Sequence, residues 1–212
     1  MRVIAIDGPA GAGKSTVARA LAARLGLEYL DTGAMYRAVT LAAMRRGIDP
    51  ADVDQVADLA EQLRLEVGEH GVFVDGYDAT TDIRTREVTT AVSAVAANSR
   101  VRAELVERQR RWARERDGGV LEGRDIGSVV FPDAELKLHL TASPRVRAER
   151  RWAEAGGDLN EIEAAIARRD QYDISRAHGP LIEADDSVVV DTTGLSIEQV
   201  LERIEQLLES RT

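Results

Sequence analysis

The stretch from Gly8 to Ser15 constrains this chain more than any other. Two glycines enclose four residues and are followed by Lys-Ser, the pattern of a loop that cradles phosphates with its backbone N–H groups. The β-branched run Val3–Ile6 predicts a buried strand before it, and the segment Ser15–Leu25, rich in Ala and Leu, predicts a helix after it. Strand, glycine-rich turn and helix N-terminus together favour a site for anionic phosphate.

Lys14 and Ser15 supply the charged and metal-binding groups of this loop, which we call the P-loop. Lys14 is expected to lie against the outer phosphates of a nucleoside triphosphate, and the Ser15 hydroxyl to ligate Mg²⁺. We expect Lys14 to face solvent, and we expect Lys137, the other lysine of the chain, on the polar side of a strand. The predicted nucleotide-binding residues are Gly8, Pro9, Ala10, Gly11, Ala12, Gly13, Lys14, Ser15 and Thr16.

Composition predicts a single globular domain, residues 1–212. Hydrophobic residues make up 44% and charged residues 31%, and no apolar run has the length of a membrane span. Cysteine is absent, which argues against disulfides and thiolate metal sites and favours a reducing compartment, the cytoplasm. The net charge of −9 argues against a general nucleic-acid binder. We therefore expect a cytoplasmic protein with no signal peptide and with neither a nucleic-acid polymer nor a membrane as partner. We also expect a monomer, although composition does not determine the oligomeric state.

The hydrophobic period changes along the chain. Helical patterns cover about 34–46, 50–63, 84–92 and 99–116, whereas residues 64–78 alternate with period two around an Asp75-Gly76 turn. This segment predicts a small antiparallel meander inserted between helices of an α/β chain. Two interpretations of this meander stay open: it shapes a binding cleft, or it is a hairpin with no role in binding.

Two further stretches carry candidate binding residues. Arg124 and Asp125 directly follow a short predicted strand, where ligands bind in parallel α/β sheets; a structural ion pair is the alternative. Arg169, Asp173 and Arg176 share one helix face by their i, i+4, i+7 spacing. That helix and the preceding one, joined by Gly156-Gly157, predict a hinged, arginine-bearing lid; a salt-bridged helical hairpin is the alternative.

A phosphate loop, many arginines and few candidate bases favour phosphoryl transfer to an acceptor that is already anionic. A monophosphate, with a second pKa near about 6, attacks without giving a proton to the enzyme. Catalysis then consists mostly of positioning and of neutralising charge.

Four motifs resemble the bacterial cytidylate kinase family, a group of nucleoside monophosphate (NMP) kinases. They occupy residues 7–16, 30–38, 122–134 and 168–181, in the expected order around the β insert. The resemblance implies a P-loop kinase fold of three layers, α/β/α, with a five-stranded parallel sheet. It also implies a small antiparallel β insert in an NMP-binding region at about 64–97 and a helical lid at about 147–177.

The resemblance implies transfer of the γ-phosphoryl group of ATP to CMP or dCMP, with Mg²⁺. The implied catalytic residues are Lys14, Arg124, Arg169 and Arg176. The implied acceptor-binding residues are Thr32, Tyr36, Arg37, Ser93, Arg102, Arg124, Asp125, Arg169, Asp173 and Arg176. A carboxylate such as Asp125 accepts a hydrogen bond from the cytosine amino group, whereas uracil presents a carbonyl at that position. Ser128, where threonine is more usual, and the stretch 177–179 depart from the family pattern.

Two other function classes are compatible with a P-loop. A kinase of another small acceptor, such as a shikimate kinase, is disfavoured by the β insert and the Gly-Arg-Asp motif. A P-loop ATPase or switch binds and hydrolyses without an acceptor, and a GTPase switch would need an Asn-Lys-x-Asp motif that the chain lacks. A nucleotide-binding module without catalysis would leave the lid arginines unexplained.

Overall fold

The computed structural model describes residues 1–68 and 70–210. Glu69, in the predicted insert, and residues 211–212, at the end of the predicted domain, lie outside the described residues. The strands are β1 (Arg2–Asp7), β2 (Tyr29–Asp31), β3 (Leu65–Gly68), β4 (Gly71–Val74), β5 (Tyr77–Asp78), β6 (Gly118–Gly123), β7 (Leu136–Thr141) and β8 (Val188–Asp191). The helices are α1 (Lys14–Leu25), α2 (Thr32–Arg45), α3 (Val53–Gln62), α4 (Arg86–Ala97), α5 (Ser99–Glu115), α6 (Pro144–Ala155), α7 (Leu159–Ser175) and α8 (Ile197–Glu209).

Five parallel strands form the central sheet, in the order β2-β6-β1-β7-β8. Side chains that alternate along β1 enter two separate cores. Val3 and Ala5 pack in a core with residues of α2, α3 and α5, whereas Ile4 and Ile6 pack in a core with residues of α1 and α8. Because successive strand residues face opposite sides, this pattern places helices on both faces of the sheet. The predicted three-layer α/β/α fold is confirmed.

The β insert is present as the predicted antiparallel sheet, in the order β3-β4-β5. The structure adds two short elements that periodicity does not predict, a 3₁₀ turn at Asp82–Arg84 and a π-helical turn at Ile126–Val130. Within the described ranges, no helix combines the length and the apolar character that crossing a membrane requires.

Capping residues correct several predicted helix starts. The Asp31 side chain accepts a hydrogen bond from the backbone of Ala34, so α2 begins at Thr32, two residues earlier than predicted. Asp52 and Thr85 cap α3 and α4 in the same way, and these helices begin at Val53 and Arg86. A side-chain oxygen at the N-cap satisfies a backbone N–H that the first turn leaves free, and this local contact decides where each helix begins.

Lys137 differs from its expected environment. It lies on β7, opposite the leucines, but its side chain is buried rather than on a solvated polar face. Its Nζ is 2.8 Å from a carboxylate oxygen of Asp186, in the segment that precedes β8. A lysine in such a place needs an acidic partner, because burial disfavours an unpaired charge.

Candidate active site

The P-loop leaves β1 at Asp7 and crosses the adjacent strand β7. A β-carbon added to Gly8 would lie 2.0 Å from the carbonyl oxygen of Leu140, so no larger residue fits at this crossing. Gly13 has φ of 87°, in the left-handed region that favours glycine, and it directly precedes α1. The loop therefore presents its backbone at a helix N-terminus, the arrangement that binds phosphate.

Lys14 is buried, and the expectation that it faces solvent is wrong. It is the first residue of α1 and only 7% exposed, because its side chain folds back over the loop and Nζ donates a hydrogen bond to the carbonyl oxygen of Pro9, 2.9 Å away. Burial, and next the repulsion of Arg124, lower the pKa of Lys14 to about 7. A bound polyphosphate would favour the charged form of this lysine.

Glu122 is a candidate site residue that the sequence pattern did not single out. It lies near the carboxyl end of β6, beside β1, and is 4% exposed. The Tyr29 hydroxyl donates to its carboxylate, and Ser15 also favours its charged form, although burial raises the pKa of Glu122 overall. The available signal was an acidic residue at the end of an apolar strand in a parallel sheet.

Asp7 is a second missed residue. Its two carboxylate oxygens accept hydrogen bonds from the backbone N–H groups of Ile126 and Gly127, each at 2.8 Å. Burial raises the pKa of Asp7 to about 6. These bonds attach the end of β1 to the turn that follows Arg124 and Asp125, so the P-loop and this turn hold a common position.

Arg102 and Asp125 form a buried ion pair. The guanidinium of Arg102 donates to the Asp125 carboxylate, and both side chains are 8% exposed. Arg102 also reaches the Tyr36 hydroxyl at 3.5 Å. Burial raises the pKa of Asp125, and the attraction of Arg102 opposes that shift. The backbone of Gly179, in the segment after α7, lies directly against this pair.

Three arginines surround the carboxylate of Asp173. Arg124 donates to it at 2.8 Å, Arg176 also donates to it, and Nε of Arg169 lies 4.0 Å away. Asp173 is fully buried, which alone would raise its pKa, but Arg124 and Arg176 bring that pKa below its ordinary value. Three cations around one carboxylate leave excess positive charge, which favours an anionic ligand.

The remaining predicted residues differ in their contacts. The Thr32 hydroxyl donates to the carbonyl oxygen of Glu122 at 2.6 Å. Arg37 donates to the Ile83 carbonyl and to the Thr89 hydroxyl, so its guanidinium lies against the elements that follow the β insert. Ser93 lies half-buried on α4.

The other predicted P-loop residues occupy the turn and the first turn of α1. Ala12 is buried, and the carbonyl oxygens of Pro9, Ala10 and Gly11 accept hydrogen bonds from basic side chains. Thr16 lies exposed on α1. The structure thus assembles the two predicted groups, P-loop and arginines, at the carboxyl ends of β1 and β6.

Comparison with known proteins decides between the families that use such a loop. The family model described as cytidylate kinase matches residues 4–210. The chain is 46% identical to the cytidylate kinase of Mycobacterium leprae (strain Br4923), over 99% of this chain and 96% of that protein. It is 48% identical to the cytidylate kinase of Desulfitobacterium hafniense (strain Y51), over 98% of this chain and 93% of that protein. The chain belongs to the cytidylate kinase family.

Membership of the cytidylate kinase family confirms the resemblance that the four motifs indicate. The structure of a shikimate kinase from Acinetobacter baumannii in complex with shikimate is similar to this fold, with a TM-score of 0.50. That likeness covers 100% of this chain and 95% of the other, at 15% identity. It shows a shared P-loop kinase fold and does not extend to the acceptor.

Proposed function

We propose that the protein transfers the γ-phosphoryl group of ATP to CMP or dCMP, giving CDP or dCDP and ADP. The observation that carries this proposal is the buried pair of Arg102 and Asp125 beside the P-loop, in a chain of the cytidylate kinase family. The pair offers donors and an acceptor for a base edge at the carboxyl end of β6. The arginines around Asp173 offer charge for phosphates.

The P-loop residues 8–16 bind the triphosphate of ATP. Backbone N–H groups and the N-terminus of α1 surround the phosphates, and Lys14 exchanges its bond to Pro9 for an outer phosphate oxygen. The neighbouring negative charge raises the pKa of Lys14 from its lowered value, so the lysine binds as an ammonium ion.

The residues next to the P-loop fit a magnesium ion bound together with ATP. The Ser15 hydroxyl and the Glu122 carboxylate lie on adjacent elements, and both offer the oxygen ligands that Mg²⁺ prefers. The ion would supply charge neutralisation on the phosphates. Tyr29, which donates to Glu122, orients this carboxylate.

The acceptor binds between α2, α5 and the turn after β6. Thr32, Tyr36, Arg37 and Ser93 line its approach, and the Arg102–Asp125 pair contacts the base. The Asp125 carboxylate accepts from the cytosine amino group while Arg102 donates to a ring acceptor. The region at about 64–97 serves as the NMP-binding insert.

Phosphoryl transfer then needs no protein base. The acceptor phosphate is an anion and attacks directly, while Arg124, Arg169 and Arg176 balance the charge that spreads over the transferred group. Nε of Arg169 and Nε of Arg176 are buried and make no hydrogen bond with any part of the protein that the structure describes. These donors are therefore free to bind phosphate oxygens when the lid, at about 147–177, closes.

The reaction takes place in the cytoplasm, where both nucleotides are available as soluble substrates. We infer a monomer, in which one chain supplies the residues assigned to both substrates. The protein forms one domain, residues 1–212, in which insert and lid border the same cleft.

The ratio of kcat/KM for CMP over UMP tests the base assignment. The wild-type protein is expected to prefer CMP strongly. In Asp125→Asn the side-chain amide can donate to the uracil carbonyl, so the ratio is expected to narrow about tenfold, as for one hydrogen bond to a charged group. Equal losses for the two substrates would show that Asp125 does not contact the base.

At position 125, asparagine is more informative than alanine because the Asp125 side chain is paired with Arg102. Alanine would leave the buried guanidinium of Arg102 without a charge partner, and its bond to the Tyr36 hydroxyl is long, at 3.5 Å. Asparagine keeps the shape and one acceptor oxygen, so any overall loss of rate is smaller. Thermal unfolding of the variant, compared with the wild-type protein, controls for loss of fold.

A further inference from the structure

Among the described residues, two ion pairs join α6 to α7, and they differ in their surroundings. The outer pair joins Arg145 to Glu163 at 3.2 Å, and these side chains are 51% and 34% exposed. The inner pair joins Arg147 to Asp170 at 2.5 Å, and these side chains are 7% and 16% exposed. Exposed pairs contribute little, whereas breaking a buried pair leaves an uncompensated charge. The inner pair is thus the one that can hold the two helices in a fixed relation.

The inner pair is also attached to the P-loop. Nη1 of Arg147, the atom that contacts Asp170, donates to the carbonyl oxygen of Ala10 at 3.2 Å, and Nε donates to Ala142 at 3.0 Å. A β-carbon added to Gly11 would lie 3.0 Å from the β-carbon of Arg147, so the loop rests directly on α6.

A second arginine fixes α6 to the same loop. Arg150 donates to the carbonyl oxygen of Gly11 at 3.4 Å and makes two bonds to Thr192, which follows β8. Helix α6 is therefore attached to the P-loop by two arginines, Arg147 and Arg150. Helix α7 follows Gly156 and Gly157, whose φ values of 67° and 101° mark a break between the helices.

Asp170 lies on α7 close in sequence to two residues of the arginine cluster, so its ion pair connects that cluster to Arg147 on α6. Arg169 precedes Asp170 directly, and Asp173 follows one helical turn later, where it contacts Arg124 and Arg176. A movement of α7 away from Arg147 would displace both Arg169 and Asp173. In the described residues, the side chains of Arg147 and Asp170 make no hydrogen bond or ion pair with Asp173 or its three arginines. Any effect of this pair on the chemistry therefore passes through the placement of α7.

We propose that Asp170 is a positioning residue, and that its ion pair with Arg147 latches α7, with Arg169 and Asp173, onto the P-loop. Arg147 shares one nitrogen between the P-loop carbonyl and Asp170, so the position of the ATP-binding loop and that of the acceptor-side arginines are coupled. Closure of the lid and positioning of the P-loop then occur together. The kinetic part of this inference rests on the proposed function.

The test compares Asp170→Asn with Glu163→Gln, a matched change in the outer pair of the same hairpin. Asp170→Asn is expected to lower kcat about a hundredfold, as for a small misplacement of catalytic groups, with KM for ATP nearly unchanged. Glu163→Gln is expected to keep kcat within about twofold, because the exposed pair does not touch the P-loop. Equal kcat values for the two variants would overturn the latch.

Hydrogen exchange supplies a readout that does not depend on turnover. With an ATP analogue and CMP bound, the segment 166–173 is expected to exchange faster in Asp170→Asn than in Glu163→Gln. Equal exchange would contradict the latch even if the wild-type protein formed no CDP, so this failure is distinct from failure of the proposed function. If Asp170→Asn does not fold, Arg147→Lys replaces it, because lysine cannot keep the bonds of Arg147 to Ala10, Ala142 and Asp170. A wild-type kcat and a wild-type exchange rate in Arg147→Lys would overturn the inference.

Discussion

Replacing Lys14 with methionine is expected to lower kcat about a thousandfold, the scale of losing one charged donor to the transition state. Methionine retains most of the aliphatic stem, so the packing under the P-loop is kept. The fold should tolerate the change, because the lowered pKa of Lys14 shows that its buried charge is unfavourable before phosphate binds. Steady-state kinetics and thermal unfolding measure the two effects separately.

Lys137→Met is the matched control for this experiment. Lys137 is the other lysine of the chain and is equally buried, but it pairs with the exposed carboxylate of Asp186. Its replacement is expected to change kcat by less than about threefold, since Lys137 pairs with Asp186 and neither residue is assigned to a substrate. If Lys14→Met kept the turnover of Lys137→Met, the P-loop lysine would have no part in phosphoryl transfer.

Arg169→Met is expected to lower kcat by about a thousandfold, at the low end for an arginine that stabilises phosphoryl transfer, with a smaller effect on KM for ATP. Nε of Arg169 makes no hydrogen bond with the part of the chain that the structure describes, and it lies 4.0 Å from a carboxylate oxygen of Asp173. Burial, with the repulsion of Arg124 and Arg37, lowers its pKa to about 9. The guanidinium of Arg169 is therefore available to bind a phosphate group.

Arg168→Met supplies the comparison, because Arg168 precedes Arg169 on the same helix and is exposed. Both substitutions change the net charge and the helix propensity of α7 by the same amount. A similar loss of kcat in the two variants would attribute the effect to the charge of the helix rather than to a contact of Arg169 with the reacting phosphates.

The sequence predicts the P-loop and the sheet around it because their signals are local. The spacing of Gly8, Gly13 and Lys14 and the β-branched run before them need no distant partner to be recognised. The β-branched run at 188–190 lies in β8, and Ser196 and Gln199, spaced as in a capping box, form one at the start of α8. Such features follow from periodicity and capping within a few residues.

The missed site residues depend on contacts between segments that are distant in sequence. Asp7 bonds to a turn about 120 residues away, and Glu122 receives the hydroxyl of Tyr29 from another strand. The burial of Lys14 and the attachment of Arg147 to the P-loop likewise follow from parallel pairing and helix packing. No local sequence pattern predicts which side chain will form a hydrogen bond with which distant group. These contacts form only once the sheet is assembled.

Transfer of labelled phosphate tests the central claim most directly. The wild-type protein is incubated with ATP labelled at the γ-phosphoryl group and with CMP, dCMP, UMP or AMP, and the labelled products are separated. We expect label in CDP and dCDP, equal in amount to the ADP formed, and far less label in the products from UMP and AMP. Label released as free phosphate at a rate independent of CMP, or preferred transfer to UMP or AMP, would contradict the proposed function.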